Sequence, residues 1–137
     1  MAKTLDLSGG CYCGAVRYRV QGEPIFKAQC HCRECQYITG GGPNIFVIMP
    51  QEGYSWTKGS PRRFARDDLE TPVTRTFCET CGTHLSTELP DGKRVVVKVG
   101  TLDDPTAWGT PKAAIFMVDS QPFHVVPEGI PAFERMP

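Results

Sequence analysis

The chain has 137 residues, 40% of them hydrophobic, and its fifteen Lys and Arg residues balance fifteen Asp and Glu residues for a formal net charge of zero. That length suits a single domain, 1–137, with a core of its own, and the balance excludes the basic excess that nucleic-acid binding draws on. No run of eighteen apolar residues is present to cross a membrane, and Met1 to Gly10 lacks the basic start and apolar run of a secretory signal, so a cytoplasmic location is expected.

Fourteen glycines and twelve prolines cut the chain into short pieces and leave little room for long helices. Val16, Tyr18 and Val20 alternate with Arg17 and Arg19, the period of a half-buried strand. Ile25–Gln29 reads as a second strand that delivers Cys30. Arg33–Thr39 reads as one short helical turn ended by Gly40-Gly41-Gly42-Pro43, and Asn44–Met49 as a buried strand closed by Pro50. Arg62–Arg66 and Val73–Phe77 follow as strands, the second leading into Cys78. Thr83–Leu89 and Arg94–Val99 flank Pro90-Asp91-Gly92-Lys93, a hairpin signal in which Pro sets φ and Gly takes a positive φ. Ala113–Val118 and Pro122–Val126 supply the last strands, and Trp56, Trp108, Phe116 and Phe123 are expected in or near the core. The ends, Met1–Lys3 and Arg135–Pro137, are expected to be loose. Many short strands with turns between them predict an all-β (mainly β) domain of two or three sheets.

Seven cysteines fall in three clusters: Cys11 and Cys13; Cys30, Cys32 and Cys35; Cys78 and Cys81. Such short gaps aim neighbouring thiolates at one ion. Four thiolates close a structural zinc site and three leave a position open for water or substrate, so seven suggests one closed site and one open. Disulfides fit less well. The count is odd, Cys-x-Cys pairs are poorly placed to bridge each other, and a cysteine-rich chain without an export signal binds metal more often than it builds a disulfide frame. Unligated buried thiols would account for a single position but not for three tight clusters.

Cys11-Tyr12-Cys13-Gly14 precedes a strand and Cys78-Glu79-Thr80-Cys81-Gly82 follows one. Two such turns from distant sequence can clamp one ion and staple the domain. Cys30-His31-Cys32-Arg33-Glu34-Cys35 offers three thiolates and could ligate alone. His31 could be a fourth ligand, but in an extended segment it points away from its neighbours, which favours a supporting or surface role. His84 and His124 have no local partner and read as packed or solvated. Among cations that could hold substrate carboxylates, Arg33 lies inside the cluster, and Arg62, Arg63 and Arg75 have no assigned place.

The order Cys-x-Cys-Gly, Cys-His-Cys-x-x-Cys, Phe-Cys-x-x-Cys-Gly resembles the glutathione-dependent formaldehyde-activating enzyme family, which includes centromere protein V. Ser8 to Tyr18 is similar to its opening, and Pro127 to Phe133 to its closing Pro-x-Phe. The resemblance implies a β-tent fold, short antiparallel sheets stapled by zinc, with two zinc ions per chain. Cys11, Cys13, Cys78 and Cys81 would hold a structural zinc, and Cys30, Cys32 and Cys35 a catalytic one. Where the family commonly carries a basic, histidine-rich stretch after the middle cluster, this chain has Gln36-Tyr37-Ile38-Thr39-Gly40-Gly41-Gly42, which bears on the substrate.

The implied activity is a carbon–sulfur lyase that joins glutathione, or a related small thiol, to formaldehyde or another small aldehyde. A different class, a non-enzymatic zinc-stapled module that binds a protein partner, needs no open metal position. A methionine sulfoxide reductase would need two Cys-x-x-Cys turns and a lone catalytic cysteine, and no lone cysteine remains here.

Overall fold

Leu5-Asp6-Leu7-Ser8 alternates apolar and polar residues, and in the structure, a computed structural model describing residues 3–137, it opens a strand, β1 (Leu5–Gly10). β1 pairs antiparallel with β2 (Arg17–Gly22), which pairs with β5 (Tyr54–Lys58), to give a three-stranded sheet. The alternation read at Val16, Tyr18 and Val20 points all three into the core. Neither β1 nor β5 was among the strands expected from sequence, although both alternate.

The larger sheet has seven strands. In spatial order they are β10 (Ala113–Ile115), β3 (Phe26–Cys30), β4 (Asn44–Pro50), β9 (Arg94–Lys98), β8 (His84–Glu88), β7 (Thr74–Phe77) and β6 (Arg62–Phe64). The architecture is mainly β, the β-tent arrangement expected. One pairing departs from the antiparallel expectation: β10 runs parallel to β3. The chain crosses back from β9 through residues 99–112 before β10 begins, so β10 enters in the same direction as β3.

Both faces of the central strands are covered. Val95 and Val97, with Val47, Met49 and Leu85, face Tyr18 and Val20 of the smaller sheet. Val96 faces the other way, with Ala28, Phe46, Ile48 and Ile115. A strand buried on both sides carries a continuous apolar run, which is why Phe46–Met49 and Val95–Val97 lack alternation. That second face is roofed by one helix, α1 (Arg33–Thr39), and by the C-terminal segment. The Leu89 amide reaches the Arg94 carbonyl across the expected hairpin, and Gly92 takes φ 69° there.

Three late expectations are corrected. The expected strand Ala113–Val118 stops at Ile115, because Phe116 turns left-handed (φ 56°) and a 3-10 turn, Met117–Asp119, follows. Pro122–Val126 forms no strand: the His124 amide closes a turn on the Gln121 carbonyl, and Phe123 is 68% exposed, not core. Nor is the C-terminal end free-standing, since the Phe116 amide donates to the Arg135 carbonyl. Met1 and Ala2 of the loose N-terminal end expected from sequence lie outside the described residues. Trp108 is buried, while Trp56 and Phe116 are half-buried.

The smaller sheet packs closely on the 3-10 turn Val99–Thr101 at Gly9. A Cβ there would lie 2.3 Å from the Thr101 carbonyl oxygen and 2.5 Å from the Tyr18 hydroxyl, which itself hydrogen-bonds the Thr101 hydroxyl at 2.6 Å. Gly9→Ala is therefore expected to cost about 2–3 kcal/mol of stability by overpacking, checked by denaturant unfolding. An unchanged midpoint would refute this close contact.

Candidate metal centres

The two outer cysteine clusters sit on turns of one design. The Cys11 amide donates to the Val16 carbonyl and the Cys78 amide to the Thr83 carbonyl, each closing an arch around its pair. Gly14 (φ 82°) and Gly82 (φ 81°) make the left-handed step that turns each arch back. The arches meet where the Tyr12 amide donates to the Thr83 hydroxyl at 3.1 Å. Cys11 and Cys13 sulfurs lie 3.6 Å apart, and Cys13 and Cys78 sulfurs 3.8 Å apart. All four sulfurs fall within 4.8 Å of one another. The Val16 amide donates to Cys11 Sγ at 3.3 Å, and the Thr83 hydroxyl, 3.1 Å from Cys81 Sγ, holds that thiol down to about 5.

The middle cluster is built by the junction of β3 and α1. Cys30 ends the strand, Cys32 caps the helix by accepting the Cys35 amide at 3.4 Å, and Cys35 lies one turn in. Their sulfurs also lie within 4.8 Å of one another. Hydrogen bonds from Cys30 and Cys35 pull the Cys32 thiol down to about 2, and the bond to Cys32 pushes Cys30 up. Three buried or half-buried thiols this close cannot all ionise without a cation among them. A soft divalent ion fits both donor sets. Cys30, Cys32 and Cys35 line a cavity of about 540 Å³, bounded also by Arg33, Asn44, Phe46, Arg75, Arg94 and Asp119.

The family model for the glutathione-dependent formaldehyde-activating enzyme matches residues 6–119. The chain belongs to that family. A Halomonas elongata protein provisionally named a glutathione-dependent formaldehyde-activating enzyme is 26% identical over 121 residues, covering 85% of this chain and 77% of its own length. The crystal structure of a Rhodobacter sphaeroides protein has the same fold, with a TM-score of 0.60 at 18% identity, over 92% of this chain and 99% of that one.

In this family member His31 does point away from the cysteines, as the extended reading implied, but into the interior and not to the surface. Its Nδ1 lies 3.0 Å from His124 Nδ1 and its Nε2 2.9 Å from Gln29 Nε2. His124 Nε2 lies 2.7 Å from the Gly41 carbonyl, and its Nδ1 accepts the Gln121 amide. One assignment connects the chain: Gln29 donates to His31, His31 to His124, and His124 to Gly41, with the Gln121 amide sharing the single Nδ1 lone pair of His124. Burial, then the neighbouring His124, holds His31 below its ordinary range, keeping it neutral. So His124 is the partner that sequence did not supply, and this network holds residues 121–125 in place of a strand. His84, by contrast, is half-buried, with its Nδ1 unpartnered.

Of the arginines, Arg62 and Arg63 pair with Glu79 and Glu88, outside the cavity. Arg33 lies at the cavity edge, bonded to Gln36 and stacked on Tyr37 at 5.0 Å. Arg75 is the better placed: it is mostly buried, lines the cavity, and bonds Thr87 and Glu34.

Sequence reading missed Lys98. It follows Val95–Val97 on β9, opposite Phe46, and so shares the face of Cys30. Lys98 is 7% exposed, and its Nζ has no hydrogen-bond partner among the described residues. Burial pushes the ammonium down to about 8, opposed by the attraction of Cys35, Cys30 and Cys32. No local pattern marks it, since its role depends on which side of β9 meets the cysteines. A cation here stabilises the net negative charge that three thiolates leave around a divalent ion. Lys98→Met should loosen a divalent metal at Cys30, Cys32 and Cys35 about tenfold, or about 1.4 kcal/mol, while leaving the metal-free protein no less stable, because an unpartnered buried charge is removed. Chelator competition and thermal unfolding of both forms check this. Unchanged metal retention would remove Lys98 from the site.

Proposed function

We propose that this chain works as one zinc-binding unit that joins glutathione, or a related small thiol, to formaldehyde or another small aldehyde, giving an S-hydroxyalkyl adduct. The observation that carries this reading is the three-thiol cluster on the wall of an open cavity, with no fourth ligand in its group among the described residues. Under this reading Cys11, Cys13, Cys78 and Cys81 hold a structural zinc, and Cys30, Cys32 and Cys35 a catalytic one, two ions per chain. All seven cysteines are free, which suits a reducing compartment and hence the cytoplasm.

The step balances without an oxidant. The thiol loses its proton, its sulfur attacks the carbonyl carbon, and a C–S bond forms as the C=O π bond opens. The proton ends on the new hydroxyl, and the reverse reaction is carbon–sulfur cleavage. Zinc at the open site would supply a cation that favours the thiolate of the incoming thiol, a soft ligand, over polarisation of the aldehyde oxygen, because three thiolates already leave the site negative.

The side chains divide the remaining work. Glutathione has two carboxylates and an ammonium group. Arg33, Arg75 and Arg94 on the cavity wall offer charge to the first, and Asp119 to the second. Phe46, Ile48, Val96 and Phe116 exclude water from one side. Lys98 supplies a fixed positive charge beneath the cysteines.

The division of the sites predicts opposite variants. Cys78→Ser should unfold or insolubilise the protein, because it unfastens two distant arches. Cys32→Ser, in a cluster local in sequence, should keep near-native circular dichroism and bind about one zinc fewer. If both melt alike, the division into structural and catalytic sites fails.

Calorimetric titration of the zinc-loaded protein tests the reading itself. Glutathione is expected to bind, and the analogue with serine in place of cysteine to bind at least about tenfold more weakly, since a soft site prefers sulfur to oxygen. Equal binding would place the tripeptide away from the cysteines. Binding of neither would favour the partner-binding module.

A further inference from the structure

A second cavity, of about 670 Å³, adjoins the first, and the two share Glu34, Val73 and Arg75 on their common wall. Its character is different. α1 turns Glu34, Tyr37 and Ile38 toward it, an i, i+3, i+4 face, and β6, the following loop and β7 add Phe64, Leu69, Val73 and Phe77. Tyr37 is 78% exposed, Phe64 56% and Leu69 45%. A cluster of large apolar side chains left open on one concave wall marks a ligand site. The charges there are already engaged: Glu34 takes Arg66 on one carboxylate oxygen at 2.9 Å and Arg75 on the other at 3.1 Å, and Arg66 also holds Asp68.

We infer that this cavity receives the hydrocarbon substituent of the aldehyde, so that the preferred electrophile is a medium-chain alkyl or aryl aldehyde and not formaldehyde. The inference rests on the thiol–aldehyde reading above and deepens it. Three observations favour this occupant. The cavity lies directly beside the one that holds the cysteines, with Val73 lining both, so a carbonyl carbon beside the sulfur could direct its substituent along Val73. Its lining is mainly apolar and its Arg66 is already paired with Glu34 and Asp68, whereas the other cavity presents Arg33 and Arg94 to the carboxylates of glutathione. Its volume lies in the range of small-molecule sites, about 300–1,000 Å³, and it is concave, whereas a face for a second copy would be flatter and larger.

Adduct formation from glutathione with propanal and with hexanal compares two aldehydes of the same carbonyl type that differ by three methylenes. A fully buried methylene is worth about fourfold, so kcat/KM for hexanal should exceed that for propanal at least about tenfold. In Phe64→Asp, and separately in Leu69→Asp on the more tolerant loop, the ratio should fall to about one. Hexanal alone should also shift the Ile38 and Leu69 methyl resonances, which propanal at equal concentration leaves in place. Similar turnover of both aldehydes by the unaltered protein would overturn this inference and leave the thiol–aldehyde reading intact. No turnover of any aldehyde, formaldehyde included, would overturn both. If the Asp variants dissociate an oligomer and leave the ratio unchanged, the cavity covers a second copy of the chain and the inference falls.

Discussion

The structure hangs on the convergence of two arches. Cys11 and Cys13 lie just before β2 in the smaller sheet, and Cys78 and Cys81 lie between β7 and β8 in the larger one. Their four sulfurs meet within 4.8 Å, and Cys11 and Cys78 are part of the core that lies between the sheets. Chain segments this distant in sequence carry a large loop-closure cost. The junction meets that cost at one point, with the Val16 backbone amide already turned toward sulfur at Cys11.

From that point one face of the larger sheet is closed and the other is not. The smaller sheet covers Val47, Met49, Val95 and Val97 with Tyr18, Val20 and Leu7. On the opposite face, among the described residues, α1 and the C-terminal segment form the cover, and they leave a cavity beside Phe46, Ile48 and Val96. The segment is held there by polar groups, not by strand pairing: the Gln36 amide reaches the His31 and Asp119 carbonyls, and His124 bridges His31 and Gly41. A buried network of this kind specifies one position when every member is satisfied. It therefore sets where Asp119 and Phe116 stand at the cavity edge.

Electrostatics divides the open face in two. Arg75 and Lys98 place positive charge beside the three thiols, and Glu34 draws Arg75 and Arg66 together on the wall between the cavities. Exposed ion pairs add little stability, but this one stands between the compartment that holds the three thiols and a more apolar one. The first compartment carries Cys30, Cys32 and Cys35. The second is made by Tyr37 and Ile38, in the stretch where this chain departs from the family's basic, histidine-rich sequence.

The seven cysteines and their spacing were enough to foresee two groups, of four and three, and their motifs were enough to name the family. Ligand spacing is local chemistry, and it survives in the linear chain. The helix after Cys32, the Gly92 hairpin and the β2 alternation were legible for the same reason: each rests on neighbouring residues. Other features depended on contacts that no local pattern records. Whether Lys98 lies under the cysteines follows from the register of β9 against β4. That His31 meets His124 follows from a turn that replaced an expected strand, because side-chain hydrogen bonds satisfied residues 121–125 instead of a ladder. The apolar cavity exists only because Tyr37, Phe64 and Leu69, far apart in sequence, come to one wall when α1 folds beside β6 and β7.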